Sequence, residues 1–411
     1  MHYNRAVGSY SRAAFLAVGT ELLRTARLDT NSLLVARKLL ARGVELVEKR
    51  CVPDNAAAIA RAVVELLERA ELVLVSGGLG PTADDVTREG VAQALGRKLV
   101  RDPGLLEALA NRYRRLGRPM PAMAARMADL LEGCQVLPNP RGTAPGIWVD
   151  LGERAVVLLP GVPNELETIL ELHVLPKIQG RELLVRSLKV AGRFESEVEQ
   201  RVQHLYQRFG REKVTILAGR GVVELVLLAE DPQELAAMEE AFVAVLGEDL
   251  FGRDEGSLAE AVLEACRRRR WFLATAESCT GGLVGALLTQ VPGASEVYVG
   301  GVVAYSNALK MKLLGVPEAL LAQVGAVSQE VAEAMALGAC RLGAQCGLGI
   351  TGIAGPGGGS AAKPVGTVHM AVATPTRLVH RLMRFGGGRN IVRELAANFA
   401  LDLVRRTVQE G

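Results

Sequence analysis

A serine and a cysteine stand side by side in residues 274–282, which read ATAESCTGG. A strand-like apolar run, WFLATA, precedes Ser278, and a helix-like run, GLVGALLTQV, follows it. The first N–H groups of a helix have no intrahelical partner, so a turn of this kind suits an oxyanion or a phosphate. Ser278 is therefore either a nucleophile or a simple helix cap, and the local sequence alone favours the cap.

A serine hydroxyl becomes a good nucleophile only when a neighbouring base takes its proton. None of the five histidines follows an obvious strand end, so a Ser-His-Asp arrangement has little support. The segment VVAYSNALKMKLLGV instead places Tyr305 at a strand end and Lys310 beside the apolar residues of the next helix. Burial there would favour the neutral amine of a general base, whereas Lys312 is the weaker candidate. Both lysines could equally be solvated.

Four segments in the same order resemble the C-terminal amidohydrolase domain of the competence/damage-inducible CinA family: AESCTGG, GGVVAYSNALKMKLLGV, GLGITGIAGPGGG and KPVGTVHMAVA. The resemblance implies deamidation of nicotinamide mononucleotide to nicotinic acid mononucleotide and ammonia, without a cofactor. It implies Ser278 as the nucleophile, Lys310 as the base, and Tyr305 as the group that relays or orients the proton. Cys279 then becomes a neighbour of the nucleophile rather than the attacking group.

The implied acyl transfer needs donors for an oxyanion and a cradle for the phosphate of the mononucleotide. Backbone N–H groups next to the serine suit the oxyanion. The stretch TGIAGPGGG offers amides free of bulky side chains, and a later arginine offers a fixed charge ahead of the last helix. We expect the following residues to bind the oxyanion or the phosphate: Cys279, Thr280, Gly281, Gly282, Thr351, Gly352, Gly355, Gly357 and Arg389.

A second glycine-rich loop, SGGLGPTADDVT, follows a buried strand-like run near the N-terminus. Open α/β sheets bind ligands at the carboxyl edge of their strands, where such a loop would lie. The loop matches neither GxxxxGK[ST] nor GxGxxG. Its adjacent carboxylates, Asp84 and Asp85, either cap the following helix or hold a hard cation such as Mg²⁺.

Together with AVGTELL, DTN, PNPRGTAPG and LPGVPNEL, this loop resembles the molybdopterin-binding fold of the N-terminal domain in the same family. The resemblance implies a metal-dependent ADP-ribose pyrophosphatase, with Asp84 and Asp85 near the divalent metal. It also implies that these residues contact the ligand: Glu21, Asp29, Asn31, Gly77, Gly78, Gly80, Thr82 and Glu165. The same scaffold elsewhere binds pterin phosphates without hydrolysing them, so a binding module remains the alternative.

The elements around these loops predict three units in a chain of 411 residues. Alternating strand and helix patterns over residues 13–180 predict a doubly wound α/β/α domain, preceded by a flexible extension, residues 1–12. The order β-α-β-β-α over residues 183–251 predicts a small α+β domain. It is similar to a KH fold but lacks the GXXG loop, which favours a structural linker over RNA binding. Residues 256–411 predict an α/β amidohydrolase domain.

Composition limits the remaining function classes. The net charge is only +3, and hydrophobic and charged residues make up 49% and 23%, so neither nucleic acid nor membrane is expected as a partner. Six cysteines without a CxxC pair predict a reducing cytoplasm. We expect a cytoplasmic enzyme that acts on nucleotides and forms a homodimer. Two alternatives stay open: an amidase whose first domain only binds, and a non-enzymatic accessory protein for DNA uptake or repair.

Overall fold

The computed structural model describes residues 10–25, 27–115, 117–178 and 183–410. The chain divides into two compact units, residues 1–184 and 185–411. Residues 1–9 of the predicted extension lie outside the described residues, and for residues 10–12 the prediction is wrong. The Tyr10 ring is buried against Trp148 at a centroid distance of 6.2 Å, and the Ser11 amide donates to the Glu71 carboxylate at 2.8 Å. These residues are already anchored to the first sheet.

The first unit is built on a sheet whose centre is parallel. Its strands are β1 (Arg12–Val18), β2 (Glu45–Val52), β3 (Leu72–Ser76), β4 (Leu99–Arg101), β5 (Asp129–Leu131), β6 (Gln135–Leu137), β7 (Gly146–Asp150) and β8 (Ala155–Leu159). The main sheet has the order β2-β1-β3-β8-β7-β6. Strands β2, β1, β3 and β8 run parallel to one another, whereas β7 pairs antiparallel with both β8 and β6. Strands β4 and β5 form a separate antiparallel pair.

Helices cover both faces of this sheet. They are α1 (Thr20–Arg24), α2 (Asn31–Leu40), α3 (Ala56–Leu67), α4 (Thr87–Leu95), α5 (Pro103–Arg115) and α6 (Pro163–Ile169). Strand β1 is buried on both sides: Leu16 packs in a cluster with Ile59 of α3, and Phe15 in another cluster with Leu39 of α2. Consecutive residues of a strand face opposite sides of the sheet, so β1 packs against helices on both sides. This confirms the predicted α/β/α architecture.

The second unit begins with a small α+β module. Its elements are β9 (Leu184–Ala191), α7 (Glu195–Val202), α8 (Tyr206–Phe209), β10 (Val214–Ala218), β11 (Val222–Ala229), α9 (Pro232–Leu246) and β12 (Leu250–Arg253). The sheet order is β10-β11-β9-β12. The module therefore follows the predicted order and adds a last strand, which pairs antiparallel with β9. It has a hydrophobic cluster of its own, in which Phe242 of α9 is fully buried.

The rest of the second unit surrounds a mixed sheet. Its elements are α10 (Leu258–Arg269), β13 (Leu273–Glu277), α11 (Leu283–Thr289), β14 (Tyr298–Val303), α12 (Asn307–Leu314), α13 (Glu318–Val324), α14 (Gln329–Cys340), β15 (Cys346–Gly352), β16 (Thr367–Ala373), β17 (Leu378–Arg384) and α15 (Arg389–Glu410). The sheet order is β14-β13-β15-β16-β17. Strand β13 runs parallel to both β14 and β15. Their carboxyl ends therefore meet at one edge, which positions the residues that follow them.

Buried ion pairs join the α+β module to the last helix within this unit. Arg406 of α15 donates to Asp249 at 2.7 Å and to Asp402 at 2.7 Å. Arg405 donates to the Glu248 carbonyl oxygen at 2.7 Å and also pairs with Asp402. The segments predicted as a linker and as a third domain thus share one compact unit. Within the described ranges, no helix combines the length and apolar character that crossing a membrane requires.

Candidate active sites

Ser278 lies at the carboxyl edge of the second unit's sheet, immediately after β13. Its amide donates to the Ile350 carbonyl oxygen at 3.0 Å, and the residue is 8% exposed. The alternative role as a helix cap is wrong, because α11 begins at Leu283 and its N-cap residue is Gly282. The hydroxyl of Ser278 is therefore available for chemistry.

Lys310 of α12 meets this hydroxyl in a buried setting. Its Nζ lies 3.0 Å from Ser278 Oγ, 2.8 Å from the Ala304 carbonyl oxygen and 3.4 Å from that of Tyr305. The lysine is 1% exposed, so the alternative of a solvated Lys310 is wrong, and desolvation lowers the pKa of its amine. A neutral amine has two N–H donors and one lone pair. These match two carbonyl oxygens and one hydroxyl, so the geometry suits a general base.

Cys279 has the opposite character. Its thiol is buried, and desolvation raises its pKa to about 12. A thiol with so high a pKa stays protonated and is a poor nucleophile near neutral pH. Its side chain instead packs close to Gly352, where an added Cβ would lie 3.0 Å from Sγ. Cys279 is thus a packed neighbour of Ser278.

The carboxylate of Glu277 binds the N-terminus of α11, where the sequence analysis expected an oxyanion or a phosphate. Its carboxylate accepts from the amides of Gly282 at 2.9 Å, Val284 at 3.1 Å and Gly285 at 2.9 Å. The Gly281 amide donates to the Ser278 carbonyl oxygen at 3.1 Å. The expectation that the amides of Gly281 and Gly282 bind the oxyanion or phosphate is therefore wrong, because both already have partners.

Two amides of the same turn remain as oxyanion donors. Within the described residues, no backbone carbonyl accepts from the amide of Cys279 or of Thr280. Both immediately follow Ser278 in the chain, although Thr280 is fully buried. Of the predicted oxyanion site, these are the two amides that no backbone carbonyl occupies.

Tyr305 is brought to the site, but its hydroxyl points to another partner. The hydroxyl bonds to Arg389 Nη2 at 2.8 Å, while only the backbone oxygen of Tyr305 contacts Lys310. The side chain is 61% exposed. Arg389 is the first residue of α15 and also donates to the Gly355 carbonyl oxygen at 2.7 Å. Tyr305 and Arg389 thus form one exposed edge of the site.

A cavity of about 270 Å³ connects these groups. It is lined by most of the predicted residues: Ser278, Cys279, Tyr305, Lys310, Thr351, Gly352, Gly355, Gly357 and Arg389. The Thr351 hydroxyl donates to the Ala326 carbonyl oxygen at 2.7 Å and is already used. An added Cβ at Gly357 would meet open space, whereas at Gly355 it would collide with Val365. The glycine loop leaves its backbone accessible from the cavity.

Two side chains at this site were missed by the sequence reasoning. Glu277 caps the helix as described, and Arg393 donates to the Thr280 carbonyl oxygen at 2.8 Å through Nη2. The signal for Arg393 was its spacing of four residues from Arg389, which places both on one face of a helix. The signal for Glu277 was an acidic residue directly after the apolar run WFLATA and just before the glycine turn.

The first unit has a larger and more polar cavity of about 440 Å³ at the carboxyl ends of β1 and β3. The predicted ligand residues that line it are Glu21, Asp29, Asn31, Gly77, Gly78, Gly80, Asp84, Asp85 and Glu165. Thr82 does not line it, and its amide donates to the Asp85 carboxylate at 2.9 Å. The expectation that Thr82 contacts the ligand is therefore not supported.

A buried arginine holds the glycine loop of this cavity. Arg88 of α4 is 2% exposed and donates to the carbonyl oxygens of Leu79 at 2.7 Å and Gly80 at 3.0 Å. In a planar trans peptide the N–H points opposite to the C=O. The Gly80 amide therefore points away from Arg88. Sequence reasoning missed this arginine, although it follows the loop directly.

Asp84 and Asp85 do not cap the following helix, because the N-cap residue of α4 is Val86 and receives no side-chain bond. Asp84 is exposed, and Asp85 closes the loop onto Thr82. Within the described residues, no group of three or more His, Cys, Asp or Glu side chains could hold a metal ion. The pair still fits Mg²⁺, which commonly uses one or two carboxylates together with substrate phosphates and water.

The other ligand candidates are polar groups with partners of their own. Asp29 accepts from the Ser32 amide at 3.0 Å, and Glu165 accepts from Asn139 at 2.6 Å. The Asn31 amide nitrogen donates to the Gly161 carbonyl oxygen at 2.9 Å, but its buried Oδ1 has no partner among the described residues. This oxygen can accept a hydrogen bond from a bound ligand.

Comparison with known proteins gives full-length similarity. Models for the CinA C-terminal domain and for a probable molybdopterin binding domain match residues 255–408 and 14–180. A CinA-like protein of Acidobacterium capsulatum is 42% identical, over 96% of this chain and 99% of its own. A putative competence-damage inducible protein of Symbiobacterium thermophilum is 40% identical, over 96% and 98%. The crystal structure of a CinA protein with unknown function from Thermoplasma acidophilum is 34% identical, with a TM-score of 0.39, over 41% of this chain and 98% of that one.

Proposed function

Because this chain belongs to the CinA family, we propose that it is a bifunctional enzyme that recycles pyridine nucleotides. Its second unit deamidates nicotinamide mononucleotide to nicotinic acid mononucleotide and ammonia. Its first unit hydrolyses ADP-ribose at the diphosphate. The observation that carries the first activity is the buried amine of Lys310, 3.0 Å from the hydroxyl of Ser278.

The deamidation proceeds by acyl transfer. Ser278 Oγ attacks the carboxamide carbon while its proton passes to Lys310 Nζ. The amides of Cys279 and Thr280 stabilise the oxyanion, and the C–N bond breaks as Lys310 returns the proton to the departing ammonia. Water then attacks the ester, again giving a proton to Lys310, and the acid leaves as Ser278 is restored. Each step uses the same amine as base and then as acid.

Arg389 and the glycine loop supply the charge complementarity for the phosphate of the mononucleotide. The guanidinium of Arg389 lines the cavity and has no carboxylate partner among the described residues. An unpaired cation beside accessible backbone amides favours a phosphate over a neutral group. The mononucleotide should therefore be a better substrate than the uncharged nucleoside.

The substitution Ser278→Ala tests this activity. Ammonia release from nicotinamide mononucleotide should fall to background, because no other side chain can form the acyl intermediate. The mononucleotide should still bind, as measured by calorimetry. Ser295→Ala is the matched control, since Ser295 is an exposed serine of the same unit in a 3₁₀ turn outside the cavity. Unchanged ammonia release in Ser278→Ala would refute the assignment.

The first unit's activity is proposed from its charge distribution. Six acidic side chains line the cavity, Glu21, Asp29, Asp54, Asp84, Asp85 and Glu165, against one arginine, Arg27. A diphosphate would be repelled by these carboxylates unless a cation lay between them. Asp84 and Asp85 would hold a divalent cation, which when bound neutralises the diphosphate and activates water. Arg88 keeps the glycine loop in shape beside it.

The paired substitution Asp84→Asn with Asp85→Asn tests the second activity. Metal-dependent cleavage of ADP-ribose should be lost, while ammonia release from the mononucleotide continues. Glu153→Gln is the control, because Glu153 is an exposed acid of the same unit outside the cavity. If the wild-type protein fails to cleave ADP-ribose with every divalent ion tested, the first unit is instead a binding module for a nucleotide or pterin.

A further inference from the structure

The turn that carries the nucleophile contains two consecutive glycines in the left-handed region. Gly281 and Gly282 have φ angles of +64° and +92°, a region in which glycine turns freely and other residues rarely lie. The Thr280 hydroxyl is buried and has no hydrogen-bond partner among the described residues, so this side chain does not anchor the turn. The peptide between residues 280 and 281 is held at its N–H by the Ser278 carbonyl oxygen at 3.1 Å, which leaves its carbonyl oxygen for another group.

Arg393 makes that contact. Two of its nitrogens, Nη2 at 2.8 Å and Nε at 3.3 Å, approach the carbonyl oxygen of Thr280. Within the described residues, no carboxylate pairs with Arg393, so its charge is directed at this one carbonyl. Hydrogen bonds from a charged donor are roughly twice as strong as neutral ones.

We propose that Arg393 is a positioning residue for the nucleophile turn. By holding the Thr280 carbonyl, it keeps the Gly281 amide bonded to the Ser278 carbonyl oxygen at 3.1 Å. It thereby keeps the amides of Cys279 and Thr280 in place to receive the oxyanion. This inference rests on the proposed function only in taking Ser278 as the nucleophile.

Arg393 and Arg389 then have different tasks, although one helical turn separates them. Arg389 lines the cavity, whereas Arg393 does not, and among the described residues its hydrogen bonds go to the backbone of the turn. Loss of Arg389 should mainly raise KM for the phosphorylated substrate. Loss of Arg393 should mainly lower kcat, by the same factor for the mononucleotide and for its nucleoside, because the turn is common to both reactions.

The test measures the rate at which a fluorophosphonate probe modifies Ser278 in the full chain, followed by intact mass. This reaction also passes through an oxyanion but needs no nucleotide. Arg393→Ala should slow labelling by about 10-fold or more, a smaller loss than removing an oxyanion donor outright. Arg393→Lys, which keeps one charged donor, should recover part of the rate. Glu394→Ala should label at the wild-type rate, because Glu394 pairs with Arg220 instead.

Labelling of Arg393→Ala at the wild-type rate would overturn the inference, as would a folded Arg393→Lys no faster than the alanine variant. If the alanine variant does not fold, Arg393→Lys decides: slower labelling supports the inference, and a wild-type rate overturns it. A wild-type protein that is labelled yet releases no ammonia refutes the proposed substrate and leaves Arg393 in its role. A wild-type protein whose Ser278 is not labelled overturns the inference itself.

Discussion

The two candidate sites solve opposite electrostatic problems. In the second unit, one potential cation, Lys310, is 1% exposed among carbonyl oxygens, and burial lowers its pKa. In the first unit, carboxylates such as Asp84 line an open cavity and stay accessible to water. The second site therefore generates its own base by desolvation. The first site accumulates negative charge, and the function proposed for it takes a cation from outside.

Both sites nevertheless share one device. A glycine turn follows a buried strand, and an arginine fixes the turn through backbone carbonyl oxygens. Arg88 holds Leu79 and Gly80 in the first unit, and Arg393 holds Thr280 in the second. Arg88 lies close to its turn in sequence, whereas Arg393 is brought from the last helix. In both sites, the conformation of the glycine turn is thus fixed by an arginine side chain that need not contact the substrate.

Metal removal should separate the two sites most strongly. Treatment with a chelator such as EDTA should abolish ADP-ribose cleavage, because the carboxylates cannot approach a diphosphate without a cation. Ammonia release from the mononucleotide should not change, since Ser278 and Lys310 need no metal. Both products are measured in one reaction before and after a divalent ion is restored. Equal loss of both activities would break the comparison.

Lys310→Met should lower ammonia release by about 10³-fold, within the range for removing a general base. The variant should be at least as stable as the wild type near neutral pH. Near neutral pH, folding removes a proton from an amine whose pKa in the unfolded chain is well above 7, and this costs free energy. Methionine does not titrate and carries no such cost. Lys312→Met is the control, because Lys312 is exposed on the same helix. Comparable loss of activity in both variants would contradict the assignment.

The pH dependence of activity and stability should follow from the same lowered pKa. Ammonia release should rise about tenfold per pH unit below the pKa of Lys310 and then level off. Between that pKa and the ordinary value, the unfolded chain binds more protons than the folded one, so wild-type stability rises with pH relative to Lys310→Met. Thermal midpoints of the two proteins at several pH values measure this. A constant difference would argue against a desolvated amine.

The smallest expected effect is a difference in stability between variants of the two carboxylates, Asp84 and Asp85, in the first unit. Asp85→Asn should lower the free energy of unfolding by about 1 kcal/mol, because the Thr82 amide then donates to a neutral oxygen instead of a charged carboxylate. Asp84→Asn should leave stability unchanged, since this side chain is exposed. Denaturant titration of the two variants gives the comparison. Equal stabilities would show that the bond to Thr82 contributes little.

Sequence patterns predicted the layers and the sheet edge, because strand ends and glycine turns are local signals. They also offered Lys310 as a candidate base beside an apolar helix stripe, but its pairing with Ser278 came from the family resemblance and not from the pattern. Sequence patterns gave wrong predictions where the contacts of a residue depend on a partner that is distant in the sequence or competes for the same groups. Glu277 took the helix amides expected for an anion, Arg389 took the Tyr305 hydroxyl, and Tyr10 proved to be buried. No local pattern specifies such pairings.

The most direct measurement is the titration of Lys310 itself in the full chain. Protein labelled with ¹³C at lysine Cε is followed by NMR across pH, and the Lys310 resonance is assigned by its loss in Lys310→Met. The account predicts that this amine loses its proton well below the ordinary lysine pKa of about 10.4, and that ammonia release rises over the same pH range. A Lys310 that titrates at or above the ordinary value would contradict the account.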